Sequence, residues 1–309
     1  MPKIAVIGEG VIDRFIDNGV HNDVIGGSGL NTAVALARAG SDVVWFTRIS
    51  SDANGQVLKQ YAKAQHVLSC DSIESSEPAS LVNVFLAQDG QPKYEFALDG
   101  AVDWQWTTEE LSGLRNSFNI IQVGSLSAVL EPGASRILSI IQSLKKSSVP
   151  PLITYDPNAR PSAASNSDEA VLMKLRIQEF VALSDVVKVS DEDLKWIFPN
   201  LLPSDAAKDW STRGPQLVVM TRGAAGALAF VDGEKVATVS GESVNVIDTV
   251  GAGDTFMAWL IHQLAHTYDC KIPNEKKAIT SLLTVCAKAA AITCSRSGCQ
   301  PPLASEVFN

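Results

Sequence analysis

Positive charge is in short supply in this chain. Its 25 Lys and Arg face 34 Asp and Glu, for a net charge of −9. A nucleic-acid surface needs a concentrated basic field, so that class of partner is excluded. A phosphate ligand is not excluded, because backbone N–H groups or a metal ion can match its charge. Histidine is sparse as well: His21, His66, His262 and His266 are spread along the chain. His262 and His266 are four apart, but no Glu follows His262 as an H-E-x-x-H zinc site demands. They read as core or surface residues. The cysteines, Cys70, Cys270, Cys286, Cys294 and Cys299, are odd in number and never form C-x-x-C. They offer no disulfide framework and fit free thiols in the cytoplasm.

Further absences narrow the field. No apolar run reads as long enough to span a membrane. The N-terminal "MPKIAVIGEG" enters a β-branched strand at once, without the basic, apolar and cleavage segments of a signal peptide. There is no G-x-x-x-x-G-K-[ST], no H-R-D and no D-F-G, which removes P-loop enzymes and protein kinases. No linker, repeat or low-complexity segment divides the 309 residues, and 161–167 is a loop, not a boundary. What remains is an ordinary globular composition, 46% hydrophobic and 19% charged, with length enough for a large core.

Patterning then supplies a fold class. "KIAVIGEGVID" and "DVVWFTRIS" read as buried strands, with "NTAVALARAG" between them as a helix stopped by Gly40. "GQVLKQYAKAQ" is a second helix. Strand alternating with helix points to a parallel sheet. "SLVNVFLAQDGQPKYEFALDG" breaks the pattern: two strand-like runs flank Asp89-Gly90, a hairpin signal inserted as a small second layer. Alternation resumes in "NIIQVGS", "PLITYDPN", "DVVKVS", "QLVVMTRG" and "GALAFVDG", separated by helical stretches such as "ASRILSIIQSLKKS" and "EAVLMKLRIQEFVAL". The alanine-rich "AITSLLTVCAKAAAITCSR" is helical.

The densest chemistry lies in "DTVGAGDTFM", residues 248–257. The strand-like "SVNVI" precedes it, and "TFMAWLIHQLA" follows as a helix with Phe256, Leu260 and Leu264 on one face. Gly251, Ala252 and Gly253 then occupy a turn where unpaired N–H groups and the helix dipole make an anion hole. Asp254 repels an anion, so it makes sense facing a proton donor, as a base for a hydroxyl. An ordinary Asp N-cap is the competing reading. "GGSGLN", residues 26–31, has the same duality: a backbone cradle for a polar ligand, or a turn capped by Asn31. "GEG" near the N-terminus suggests a dinucleotide fingerprint only weakly, since no acidic residue follows a second strand at the right distance. Its rival function, a dinucleotide-dependent oxidoreductase, predicts NAD-dependent absorbance changes without ATP consumption.

These same residues resemble the ribokinase-like (PfkB-type) carbohydrate kinases from end to end. "GGSGLNTAVALARAG" is similar to the family's first signature and "DTVGAGDTFMAWL" to its second, in the expected order. "VVMTRGAAGALAF" resembles its nucleotide-binding strand and turn, and "TCSRSGCQPP" its C-terminal segment. "YDPNAR" and "GAVDWQW" resemble the fructokinase-like branch. The resemblance implies one α/β domain over 1–309: a three-layer Rossmann-type core with a mostly parallel central sheet, plus a β-sheet lid from about 12–26 and 78–104. Trp104 and Trp106 would pack at the lid–core junction. Dimers paired through the lid are implied.

The resemblance also implies roles. Asp254 matches the catalytic base, and Gly251, Ala252 and Gly253 the anion hole. Asp13, Gly26, Gly27, Asn31, Phe96, Asn158 and Arg160 match sugar-side positions. Lys188, Ser190, Thr221, Gly223 and Gly226 match nucleotide contacts. The family's N-x-x-E stretch is here "SDED", so Asp193 would reach Mg²⁺ through water. Asp248, with the carbonyls of Val250, Thr293, Arg296 and Gly298, matches a monovalent-cation site for K⁺, although Pro302 replaces a serine found in some members. The implied activity is ATP-dependent phosphorylation of a small neutral sugar, most simply fructose. Kinases of acidic sugars tend to carry an arginine where this chain has Leu98, although Phe96 and Leu98 also read as lid core. The alternatives are a 2-keto-3-deoxygluconate or other sugar or nucleoside kinase, and a non-catalytic sugar- or nucleotide-binding protein.

Overall fold

The computed structural model describes residues 1–17, 20–67, 73–86, 92–115 and 118–308. Cys70 and the Asp89-Gly90 turn lie outside the described residues. In chain order the strands are β1 (Lys3–Ile7), β2 (Val11–Asp17), β3 (Val20–Gly26), β4 (Asp42–Phe46), β5 (Arg48–Ser50), β6 (Ile73–Ser75), β7 (Leu81–Leu86), β8 (Pro92–Ala97), β9 (Ile120–Gly124), β10 (Leu152–Asp156), β11 (Val186–Ser190), β12 (Leu217–Thr221), β13 (Ala227–Val231) and β14 (Glu234–Val239). The helices are α1 (Ser28–Arg38), α2 (Ala53–Ala64), α3 (Thr108–Leu111), α4 (Gly133–Lys145), α5 (Ser167–Leu183), α6 (Asp191–Ile197), α7 (Pro203–Trp210), α8 (Ala252–His266), α9 (Lys276–Cys294) and α10 (Ala304–Phe308).

Among the described residues, eight strands form the main sheet in the order β14-β13-β12-β11-β10-β9-β1-β4. From β4 to β12 every pairing is parallel, and β13 and β14 close the edge antiparallel. The parallel strands are near-continuous Val and Ile because helices cover both faces. One face packs under α1, α8 and α9, the other under α4, α5 and α7. This is the mostly parallel, helix-flanked core that the alternation suggests.

A second sheet, β3-β2-β7-β8, stands apart from that stack. It is mixed: β2 pairs antiparallel with β3 but parallel with β7, and β7 pairs antiparallel with β8. Its inner cluster is small, Val11, Val82 and Val84 against half-buried Phe96. Where it meets the core, buried Leu98 and Trp104 pack with Leu126, and the Trp104 indole N–H donates to the Leu98 carbonyl at 3.0 Å. Leu98 is thus a packing residue. Trp106 does not join this junction; it stacks on Phe46 in the main core, centroids 5.2 Å apart.

Other expectations also need correction. "SVNVI" is not a strand. Its residues are largely exposed, and the Ile247 N–H bonds the Cys294 carbonyl instead of a ladder partner. "DVVWFTRIS" splits into β4 and β5 at Thr47. α8 buries Asp254 through Ala265 on all sides, because α1, α9 and the sheet surround it. α6, α7 and β14 are further elements that the patterning leaves unread. One stretch, Lys276–Cys294, is long and apolar enough by composition to cross a membrane. It packs against α8, β13 and β14, which accounts for its apolar face as core.

Candidate active site

Open α/β sheets bind ligands beyond the carboxyl ends of their strands, where the strand order reverses. Here the order reverses at β1, with β4 on one side and β9 on the other. At that edge lie Glu9 and Gly10 after β1, Asp156 ending β10, Ser190 ending β11 and Thr221 ending β12. Register holds the last two side by side, since Ser190 pairs with Thr221.

Asp254 is the centre. Gly251 caps α8 at φ 74, a left-handed conformation natural to glycine, and a Cβ there would overlap the Cys299 side chain. The cap is therefore the backbone of Gly251 and not Asp254, which sits one turn in and is 7% exposed. Its carboxylate accepts from Ser28 Oγ at 2.7 Å and Asn31 Nδ2 at 3.0 Å, with Asn158 Nδ2 at 3.5 Å. Both simple capping readings fail. Asn31 lies inside α1, whose cap is Gly27 at φ 99, and spends its amide on Asp254. Gly27 has no room for a side chain, since a Cβ would lie 2.5 Å from the Glu9 carbonyl.

Beside this carboxylate lies a buried cation. Lys188 is 3% exposed, and its Nζ is 2.7 Å from Asp156 Oδ2. A Cβ on Gly253 would come within 3.2 Å of the same Nζ, so the lysine borders the first turn of α8. Burial tends to discharge Lys188, but Asp156, Asp193 and Asp254 around it hold its pKa up. Burial pushes Asp156 the other way, above the ordinary carboxylate range, and its second oxygen is buried without a partner. Asp193 is also buried. One oxygen accepts from Ala159 N at 2.9 Å and the other from Ser190 N at 3.1 Å, in a capping box on α6.

Of the residues expected on the sugar side, Asn31 and Asn158 reach Asp254 directly. Asp13 Oδ2 lies 2.7 Å from where a Cβ of Gly26 would be. Burial raises Asp13 to about 6, against the pull of the Arg160 charge. Asn158 takes a positive φ of 38, and Arg160 is exposed. Phe96 remains half-buried in the small sheet. Gly223 and Gly226 form the β12–β13 turn, beyond Thr221. They make no hydrogen bond to the Asp254 cluster among the described residues. Asp248 accepts from Val250 N and Gly298 N, which lower its pKa. Thr293 is buried with its hydroxyl on Thr255, and Arg296 pairs with Glu306.

Sequence reasoning missed three members. Ser28 is the one hydroxyl inside "GGSGLN". Asp156 stands in the quoted "YDPNAR". Glu9 is the middle of "GEG", and its setting differs from that of a dinucleotide fingerprint. Its turn leads into strand β2, not a helix, and its buried carboxylate accepts from Ser28 N and the Ser127 hydroxyl, where a pyrophosphate would need donors. Next to it, Asp103 accepts from Gly10 N at 3.1 Å and Ser80 Oγ at 2.5 Å, joining the roots of β2 and β7; burial lifts it to about 7.

Residues 1–306 match the description "pfkB family carbohydrate kinase". A fructokinase of Rhizobium leguminosarum bv. trifolii is 35% identical over 239 residues, 77% of this chain and 71% of that one. A fructokinase structure with bound ATP from Xylella fastidiosa superposes with a TM-score of 0.85 at 23% identity, covering 99% of this chain and 97% of that one. A double mutant of the Vibrio cholerae O395 fructokinase, in a fructose, ADP and potassium ion bound form, gives 0.81 at 24% identity, covering 100% and 97%.

Proposed function

The chain belongs to the pfkB family of carbohydrate kinases and is an ATP-dependent carbohydrate kinase; from that premise we propose that its acceptor is fructose and that Asp254 is its base. The observation that carries the reading is the Asp254 carboxylate, fixed by Ser28, Asn31 and Asn158 at the start of α8 beside the buried Lys188 ammonium. Those donors orient the carboxylate toward an incoming hydroxyl. Asp254 takes the hydroxyl proton as the sugar oxygen attacks the γ-phosphate of ATP in line. The N–H groups of Gly251 and Gly253, with the helix dipole and Lys188, stabilise the charge gathering on the equatorial oxygens, and that of Ala252 joins them on leaving the Thr249 carbonyl, to which it donates at 3.3 Å.

Asp13, Gly26, Gly27, Asn31, Phe96, Asn158 and Arg160 then form the sugar side. Ser190, Thr221, Gly223 and Gly226 form the nucleotide side at the ends of β11 and β12. The unpartnered Asp156 oxygen and Asp193 fit the outer sphere of a Mg²⁺ ion, which when bound neutralises phosphate charge. Asp193 would act through water, since backbone donors already occupy both its oxygens. The lowered Asp248 carboxylate, with the carbonyls of Val250, Thr293, Arg296 and Gly298, suits K⁺. The small sheet acts as a lid excluding water during transfer. Phe15, Val20 and Val24 on it are 40%, 74% and 38% exposed, which supports pairing of two copies through that face. Four described free thiols and the use of ATP fit a cytoplasmic enzyme.

The substrate test compares kcat/KM for fructose, ribose, tagatose and 2-keto-3-deoxygluconate at saturating Mg·ATP. Fructose is expected to lead. A tenfold advantage for the acid sugar, about 1.4 kcal/mol of transition-state binding, would overturn the assignment.

A pH dependence follows from Asp13. Only the ionised carboxylate is a pure acceptor for sugar hydroxyls, and burial places its pKa at about 6. Protonation below that pH turns one acceptor oxygen into a donor and removes the charge, so kcat/KM for fructose falls on the acid side of about pH 6. Asp13→Asn should lower the plateau and abolish that limb; an unchanged limb in the variant would assign it to another group.

A further inference from the structure

A cavity of about 520 Å³ lies between β3, the end of α1, α2 and the 297–301 segment. Of the residues assigned above to sugar, nucleotide or cation, only Gly298 lines it. Its volume is that of a small-molecule site. The walls are of two kinds. Ile25 and Val34 give an apolar side, while Arg38, Tyr61 and Gln65 give a polar one.

Arg38 is the unexplained group. It is half-buried, in a chain with an excess of acids, yet no carboxylate lies within ion-pair distance of it among the described residues. Its Nε donates to the Pro301 carbonyl at 2.6 Å, and its Nη1 reaches Gln65 Oε1 at 3.4 Å. Both partners are neutral. Glu306 feels the Arg38 charge but is itself held by Arg296, and Asp23 at the rim has both oxygens on Arg14. The last turn of α1 favours a cation here, but a half-buried guanidinium with only neutral hydrogen-bond partners keeps donors to spare, and its planar fork matches a carboxylate. The Tyr61 hydroxyl beside it makes no hydrogen bond among the described residues.

We propose that this cavity is a second ligand site, for a small organic monoanion whose carboxylate meets Arg38 and Tyr61 and whose apolar body lies on Ile25 and Val34. A single guanidinium matches one negative charge, which favours a carboxylate over a phosphate dianion. The site does not depend on which sugar the kinase uses. Its occupant would touch the segment that backs the catalytic turn, because Cys299 also lines the cavity and packs against Gly251.

The test is calorimetric titration of the full chain, saturated with fructose and a non-hydrolysable ATP analogue so that the active site is filled. The probes are acetate, 2-oxoisovalerate and benzoate, with benzamide as the neutral counterpart of benzoate. Benzoate should bind saturably at one site, at least tenfold more tightly than benzamide. Gln65→Glu gives Arg38 a carboxylate of its own; it should weaken benzoate at least tenfold while leaving kcat and the unfolding midpoint intact. The proposal is overturned if none of the three carboxylates binds saturably, if benzamide binds as well as benzoate, or if Gln65→Glu binds benzoate like the wild type.

Discussion

Asp254→Asn is expected to lower kcat by about 10²–10⁴-fold while fructose and ATP still bind, the usual loss when a positioned base is removed. The substitution is nearly isosteric, and the surroundings can receive it. The oxygen of the new carboxamide can accept from the Asn31 amide, and its NH₂ can donate to Ser28 Oγ, which accepts as readily as it donates. Fold and binding therefore persist, and what disappears is the capacity to take a proton. Measuring kcat by ADP release, alongside titration of each substrate, separates these effects. A variant keeping half of wild-type kcat would exclude Asp254 as the base.

Lys188→Met is expected to damage both turnover and stability, for two separable reasons. The ammonium is buried with Asp156 at 2.7 Å, and Asp193 and Asp254 also act on it. Breaking such a pair from one side costs roughly 3–5 kcal/mol, because a charge is left buried and unmatched. Asp156 has an escape: burial already raises its pKa, and losing the lysine raises it further. An acid whose folded pKa exceeds its unfolded value loses stability as pH rises through the folded pKa. The Lys188→Met penalty is thus smaller at pH 6 than at pH 8, readable in urea midpoints. Adding Asp156→Asn should restore part of the stability, since the carboxylate that Lys188 pairs with directly is then gone, while Asp193 and Asp254 remain. It should not restore kcat, because no cation then borders Gly253. Recovery of turnover in the double variant would mean that Lys188 serves packing alone.

Much of the site is legible in the sequence because its signals are local. Gly251 and Gly253 around a helix start, and Asp254 just inside it, lie within one turn of chain. What was not legible depends on contacts between distant segments. Ser28 and Asp254 meet across 226 positions, and Asp156 meets Lys188 from an adjacent parallel strand. "SVNVI" carries β-branched residues at strand spacing, but no neighbouring strand offers it a ladder, so propensity alone misleads. Leu98 could be read as a specificity position until its burial against Trp104 and Leu126 showed what it touches. Asn31 has the composition of a cap, and only the position of Gly27 moves it inside the helix.

The small sheet has a consequence for transplantation. Its central pair, β2 and β7, is parallel and comes from segments separated by α1, β4, β5, α2 and β6. Neither segment holds a complete sheet: β2 with β3, or β7 with β8, is a two-stranded ribbon, and such ribbons are marginal in water. Moving this element onto another α/β scaffold therefore requires both insertions at once, at two loops whose ends meet as Gly10 and Ser80 do on Asp103. A graft of either hairpin alone would present an unpaired edge, and its expected fate is aggregation with a second copy of itself.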